Sequence, residues 1–471
     1  MVDFSERVKY YRSLGIDPMK WVAGCAVKVD LISVVYPSLE VIKRELDNIT
    51  INPREDADIF PSGEGGVEVV RRVYDLNDPK VEIDDIRRIS PDRALFLIQV
   101  YQKDANTPEK FGRVLSSIFR KMEKANVNFR IGKGHSIRTP YLEAQFALFD
   151  FIKMKDGKAS GYTLANNDTI HIIDPTGEPG NEVQTFVAVS NSLNDLICLG
   201  CYENIEVYPL YDAPKEEMVE EIENNFGNYC KKFNFALKDP RVIGNKKLIM
   251  GASVFGNMHK EPPTFYDGLN GGMEVLVTRP FGDLAPINVY LSSLASDEYR
   301  RLLDMEGIDL GEVEKAKRKI VEKMEEPNLK AGEIINRYLP EWGEGFREEE
   351  HIAVTGDLSG PGIFIFKEIS ETANVDIRLE EIPLAYPDLV QFASREFLMD
   401  NGTAGTNGAI AIIANGGVIE DVGKDLSKAG YDPKVIGRVM GKGEGKLYVG
   451  KEVENMISSK GILREFDVYE N

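Results

Sequence analysis

An α/β (α+β) architecture with at least two lobes is predicted by three observations. The chain has 471 residues, more than one ordinary core organises, which points to two or three domains. Strand-like and helix-like segments alternate along it. No unit of about 20 to 50 residues repeats, which excludes solenoids and propellers. With 42% hydrophobic and 28% charged residues, the composition is that of a globular protein rather than a disordered one.

The elements follow in order. The first 49 residues form an arm with one tight motif, AGCAVKVDL, and then a helical pattern, LEVIKRELDNI. The next stretch, NPREDADIFPSGEGGVEVV, is charged and punctuated by proline and glycine, as boundaries and exposed loops are. It opens a small mixed module, residues 50–130, with RALFLIQVYQ as a strand and PEKFGRVLSSIFRKMEKANV as an amphipathic helix. Residues 131–264 form the next domain. There FALFDFI and DTIHIID read as strands separated by the turn-rich KMKDGKASG, and a helix follows with Phe186, Val189, Leu193, Leu196 and Ile197 on one stripe. PKEEMVEEIENNFGNYCKKF is a second helix, and LIMGASVFGNM a buried strand running into a glycine-rich turn. Residues 265–471 form the last domain. It opens on the strand MEVLVTRPFGDL and continues through the charged EVEKAKRKIVEKMEEPNLKAGEIINRYL, read as a solvated helix face. The strand–loop–helix IAVTGDLSGPGIFIFKEISETA and the glycine-rich NGTAGTNGAIAIIANGG complete it.

Charge and cysteine content narrow the function classes. Lysine and arginine number 57 against 77 acidic residues, a net charge of −20 that argues against nonspecific nucleic-acid binding. No apolar run approaches a membrane span, and the opening MVDFSERVKYYRSLG has charges where a signal peptide is apolar, so a soluble, cytoplasmic protein is expected. Four cysteines, Cys25, Cys198, Cys201 and Cys230, are too few for a disulfide framework at this length. The CxxC pair 198/201 has no second pair with zinc spacing, and structural thiols are the plainer reading.

Several residues suit chemistry. Lys28 stands three residues after Cys25, where an ammonium favours the nucleophilic thiolate. Asp174 and Asp357 each precede a glycine-containing turn, positions that suit Mg²⁺ as well as turn or helix-cap roles. On the helix TFVAVSNSLNDLICLG, Asn191 and Asp195 share the face opposite the apolar stripe, where an ordinary helix is solvated. GKGHS, with Lys133 and then Arg138, and the loop Gly402–Gly408 offer amides and cations to phosphate without matching the P-loop or dinucleotide patterns. The four histidines show no metal-ligand spacing.

These fragments line up in one order. GCAVK resembles the cysteine-glycine-cysteine-lysine motif of selenophosphate synthetases (selenide, water dikinases). SNSLNDLICLG resembles their alanine-asparagine-alanine-leucine-serine-aspartate helix, GDLSGPGI their aspartate-valine-threonine-glycine segment, and VTRPFGDL their threonine-lysine-proline-leucine-glycine strand end. EEIP and Gly402-Thr403 continue the order. Residues 50–130 have no counterpart, Val27 stands where the family has its second cysteine, and Gly251-Ala252-Ser253 replaces a glycine-glycine-histidine-serine stretch.

The resemblance implies the two-lobed fold of the aminoimidazole ribonucleotide synthetase superfamily, with residues 131–264 as the ATP-binding and dimerisation domain of a homodimer. It implies ATP as substrate, Mg²⁺ as cofactor and a small chalcogenide as second substrate, the product being selenophosphate or a sulfur analogue. It assigns catalysis to Cys25 and Lys28, and nucleotide binding to Lys28, Lys133, Arg138, Asn191, Gly251 and Ser253. Asp174, Asp195, Asp357 and Glu143 fall to the metal. Arg279 takes the place of a family lysine. Two alternatives stay open: another ATP-dependent small-molecule kinase or ligase, or a nucleotide-binding regulator without catalysis.

Overall fold

The computed structural model describes residues 4–16, short pieces between 40 and 153 and, with short gaps, residues 162–469. The arm motif with Cys25 and Lys28, the stretch 132–137 with Lys133, Glu143 and most of the 50–130 module lie outside the described residues.

Helix α1 (Phe4–Ser13) comes first, and the strands described before residue 162 are β1 (Ile49–Pro53), β2 (Val127–Ile131), β3 (Arg138–Thr139), β4 (Phe146–Ala147) and β5 (Asp150–Lys153). Then come β6 (Tyr162–Ile170), α2 (Glu182–Cys198), β7 (Glu206–Asp212), α3 (Glu216–Phe233), β8 (Ala236–Leu237), β9 (Arg241–Val242) and β10 (Ile249–Met258). The last part runs β11 (Glu274–Val277), α4 (Leu284–Ala295), α5 (Asp297–Met305), α6 (Leu310–Met324), α7 (Leu329–Arg337), β12 (Val354–Asp357), α8 (Phe364–Ala373) and β13 (Val375–Leu379). It ends with α9 (Pro387–Arg395), β14 (Ile410–Ala414), α10 (Gly416–Lys428), β15 (Lys434–Lys442), β16 (Leu447–Gly450) and β17 (Asp467–Tyr469). The mixed α/β architecture expected from the sequence is the one observed.

Among the described residues the strands form three sheets. β1, β2 and β4 make a small parallel one, and β3-β5-β6-β10-β7-β8 order a seven-stranded sheet in which β9 also pairs with β7. A second seven-stranded sheet has the order β12-β14-β11-β15-β13-β16-β17. α2 is packed between the two large sheets. One core joins Leu164, Val207, Met250 and Val254 of the first sheet through Phe186, Leu193 and Ile197 of α2 to Leu276, Ile410 and Ile412 of the second. The other face of the second sheet, with Val275, Val277, Ile377 and Val439, is covered by α4, α6, α8 and α9.

Local sequence explains the helices that matter. Asn181 caps α2 by accepting the Gln184 N–H at 3.1 Å, and Gly200, at φ +87°, closes it by taking the left-handed turn that side chains resist. α3 buries Met218, Ile222, Phe226 and Tyr229, the stripe its spacing predicts, with glutamates in its first turn and lysines in its last. The charged segment 310–337 is two helices rather than one, because Pro327 stands between them and cannot supply a helical N–H. It is also not wholly solvated: Val313, Ala316, Ile320 and Met324 pack inward, and Lys317 is buried beside them.

Candidate functional site

Strand β6 and helix α2 meet through two reciprocal pairs. Asn166 and Asp168 are two residues apart on a strand and so face the same side. Asn191 and Asp195 are one helical turn apart on α2. Asn166 Nδ2 donates to the Asp195 carboxylate at 2.8 Å and to the Ser192 carbonyl at 2.9 Å. Asn191 Nδ2 donates to the Asp168 carboxylate, whose other oxygen accepts the Thr169 N–H at 2.7 Å. An amide on each element thus holds a carboxylate on the other.

The third carboxylate arrives from the second sheet. Asp357 ends β12, and its Oδ1 accepts from Asn194 Nδ2 on α2 and from the Ser359 N–H at 2.9 Å. Thr355, two residues earlier, donates to the Cys198 carbonyl at 2.6 Å and locks β12 onto the C-terminal turn of α2. The Cys198 thiol is held well above its ordinary pKa by burial, reinforced by the charges of Asp195 and Asp357. Both carboxylates therefore act on one point of the helix. The polar face of α2, expected to be solvated, is buried: Asn191 is 5% exposed and Asn194 0%. Lying between two sheets, this stretch of the helix is largely shielded from solvent, with Asp195 partly exposed, so its amides find carboxylates instead.

Asp174 is elsewhere. β6 ends at Ile170, and Asp174 stands in the turn beyond it, where Gln184 Nε2 donates to its carbonyl at 2.6 Å. Asp195 lies about 16 Å further along the helix axis at 1.5 Å per residue. The Asp174 carboxylate accepts from Lys317 Nζ at 2.6 Å and from Thr176 Oγ1 at 2.6 Å. It anchors α6 to the entrance of α2, which corrects the expectation that it joins Asp195 and Asp357.

Gly251 and Ser253 also need correction. Ala252 is the register partner of Asp168 and packs in the α2 core, so its two neighbours are on the reverse face of the sheet from the carboxylates. Gly251 is glycine because β10 passes so close to β6 that a Cβ there would sit 2.0 Å from the Asp168 carbonyl oxygen. Arg138 is on the edge strand β3, separated from β6 by β5, and Glu143 is outside the described residues. The described residues of the loop 402–408 are committed to packing. Gly360 N–H donates to the Gly405 carbonyl at 2.6 Å, the Ile363 N–H to Thr403 Oγ1 at 3.2 Å, and Gly408 lies against the Arg279 guanidinium. Arg279 makes a buried bidentate pair with Asp283, at 3.1 and 2.6 Å; burial lowers its pKa, but the charge and hydrogen bonds of Asp283, together with the charges of Tyr431 and Asp357, raise it on balance.

Cys198, Cys201 and Cys230 are free, buried thiols, as the sequence suggests. Burial pushes Cys201 and Cys230 up to about 12, with Glu203 adding to the first. Below pH about 9 these thiols are protonated in folded and unfolded chains alike; above it the unfolded chain loses protons that the folded chain keeps. Stability is therefore expected to fall between about pH 9 and 12. At neutral pH iodoacetamide is expected to leave all three unmodified in the native protein, checked by mass spectrometry of digests; modification of Cys198 at the unfolded rate would contradict this burial.

The donors around α2 are oxygens only, the set that suits a hard cation such as Mg²⁺. Asn166 Oδ1 is buried with no hydrogen-bond partner, although its amide nitrogen sits on Asp195, so the cluster holds one unfilled oxygen. Among the described residues no three His, Cys, Asp or Glu side chains close into a ready cage. Mg²⁺ does not need one, since it takes one or two carboxylates together with phosphate oxygens and water. The residues present fit that ion. Sequence reasoning singled out Asn191, Asp195 and Asp357, which the structure gathers around α2, and did not single out Asn166, Asp168 or Asn194. The alternation of Asn166 with Asp168, and the spacing 191, 194, 195, 198 on one helix, were the available signals.

No family model matches the chain. A curated selenide, water dikinase from Methanocaldococcus jannaschii is 24% identical over 303 residues, covering 63% of this chain and 82% of its own length. The chain resembles a selenide, water dikinase. Two solved structures also align. Thiamine-monophosphate kinase from Stenotrophomonas maltophilia K279a has a TM-score of 0.44 and 14% identity, over 63% of this chain and 87% of its own. Hydrogenase maturation protein HypE in complex with ATP has a TM-score of 0.43 and 14% identity, over 62% and 83%. No described helix is long and apolar enough to cross a membrane.

Proposed function

We propose that the protein is a Mg²⁺–ATP-dependent phosphotransferase that makes selenophosphate, or a sulfur analogue, from ATP and a chalcogenide. The observation that carries this reading is the meeting of Asp168, Asp195 and Asp357 around one buried helix, each carboxylate held by an asparagine amide. The similarity to a selenide, water dikinase supports it.

In this reading one or two of the carboxylates Asp168, Asp195 and Asp357 hold the magnesium that accompanies the triphosphate, and phosphate oxygens and water complete its shell. The bound ion supplies charge neutralisation to the phosphates, the largest need of phosphoryl transfer. The asparagines fix the carboxylates before the nucleotide arrives, so little reorganisation is left for the reaction. Cys25 presents the chalcogenide and Lys28 meets a phosphate from the N-terminal arm, while Asp174 positions α2 through Gln184 without touching the nucleotide.

Product analysis tests the reaction. With ATP, Mg²⁺ and selenide or sulfide, the expected products are AMP and orthophosphate, and Cys25→Ser is expected to abolish chalcogenide-dependent turnover while nucleotide still binds. ADP as the product, with Cys25→Ser fully active, would assign the chain to the small-molecule kinases instead. Binding without any turnover would make it a regulator.

A further inference from the structure

The segment joining α6 to α7 runs along α2 and touches it at successive turns. Ser190 Oγ donates to the Glu325 carbonyl at 2.9 Å, Asn328 Nδ2 donates to Asn194 Oδ1 at 2.8 Å, and Gly332 packs on Ile197. The middle contact falls on the turn that bears Asn194 and Asp195. Asn328 occupies the N-cap position of α7, yet its side chain makes no capping hydrogen bond. It is 9% exposed and is spent on Asn194, which is 0% exposed.

The chemistry of the three side chains fixes their orientation. An ionised carboxylate only accepts, so Asn194 must turn its NH₂ to Asp357. Its oxygen is then left facing the α6–α7 connection, and only a donor can meet it there. Asn328 is that donor. The chain Asn328 to Asn194 to Asp357 therefore runs in one direction. If Asn328 is removed, the buried Asn194 oxygen is orphaned and the amide can rotate away from the carboxylate.

We infer that Asn328 is a positioning residue for the cation site, acting on Asp357 through Asn194. The inference rests on the reading of Asp357 as a magnesium ligand. Partners one step removed from a metal typically change its affinity by about 10- to 100-fold, which is the loss expected here.

Asn328→Ser keeps a residue that can cap α7 but cannot reach Asn194, and Asn328→Asp keeps the shape while turning the donor into an acceptor. Binding of adenylyl imidodiphosphate by the full chain is measured by calorimetry with and without Mg²⁺, alongside thermal unfolding of the ligand-free protein. Both variants are expected to lose at least about tenfold of the Mg²⁺-dependent affinity, while the ligand-free chain still unfolds cooperatively at a Tm lowered by the orphaned Asn194 oxygen. The loss is expected to be no greater when Asn194→Ala is added, because one chain of contacts is broken once. Wild-type affinity in Asn328→Ser, with Asp357→Asn defective, would overturn the inference and leave the functional reading intact. If Asp357→Asn also binds like wild type, the functional reading itself fails. If both Asn328 variants lose stability in the ligand-free state but keep the wild-type Mg²⁺-dependent affinity, the residue is structural and the inference is again overturned.

Discussion

Replacing Lys317 by methionine is expected to lower the free energy of unfolding by roughly 3–5 kcal/mol, the usual cost of stranding one member of a buried ion pair. Lys317 is 5% exposed, its ammonium lies 2.6 Å from the Asp174 carboxylate, and it also donates to Thr176 Oγ1 at 3.2 Å. Removing it leaves Asp174 charged, largely buried and held by one hydroxyl and one backbone N–H. The damage extends beyond the pair. The same turn receives Gln184 from α2 and offers the Gly177 carbonyl to Tyr11 Oη, and Glu178 pairs with Arg7, so α1, α2 and α6 all meet there. A second change, Asp174→Asn, is expected to restore part of the loss by removing the stranded charge. Urea unfolding of the single and double variants checks both statements. A change below about 1 kcal/mol for Lys317→Met would show that water reaches the pair and that the anchor is weak.

The helical core was legible in the sequence because its signal is periodic. Phe186, Val189, Leu193, Leu196 and Ile197 return at helical spacing, and all are buried in α2 as that spacing requires. Strand β6 was legible only in part. Its polar run Asn166-Asn167-Asp168 consists of residues depleted in strands, so the strand was read as beginning at Asp168 instead of Tyr162. On that spacing Asp174, not Asp168, stands at a strand end. Nothing local announces that Asp174 is taken, because its partner Lys317 is 143 residues away in a segment whose charges otherwise look solvated. The amides were hidden for a related reason. A polar stripe on a helix means solvent unless another layer covers it, and β12, which covers this one, follows α2 by more than 150 residues.

Asp357→Asn is expected to weaken Mg²⁺-dependent nucleotide binding by about 100-fold or more, while the ligand-free fold survives. Asp357 is 8% exposed, and its negative charge is met by the Asn194 amide and the Ser359 N–H. The amide substitution keeps the shape and, with its oxygen in the Oδ1 position, both of these contacts, but it removes the charge that balances a buried divalent cation. Loss of a charged partner at a buried site costs roughly 3 kcal/mol or more, and each 1.4 kcal/mol is tenfold in affinity. Without the cation the same substitution relieves repulsion among the clustered carboxylates, so ligand-free Tm is expected to hold or rise.

Magnesium titration at fixed nucleotide, followed by calorimetry on the wild-type chain and on Asp357→Asn side by side, is the most direct measurement. Saturable binding in the wild type that requires the cation, and that the substitution abolishes, is the result predicted. Nucleotide affinity that is indifferent to magnesium, or equal in the two proteins, would contradict the placement of a cation site on α2.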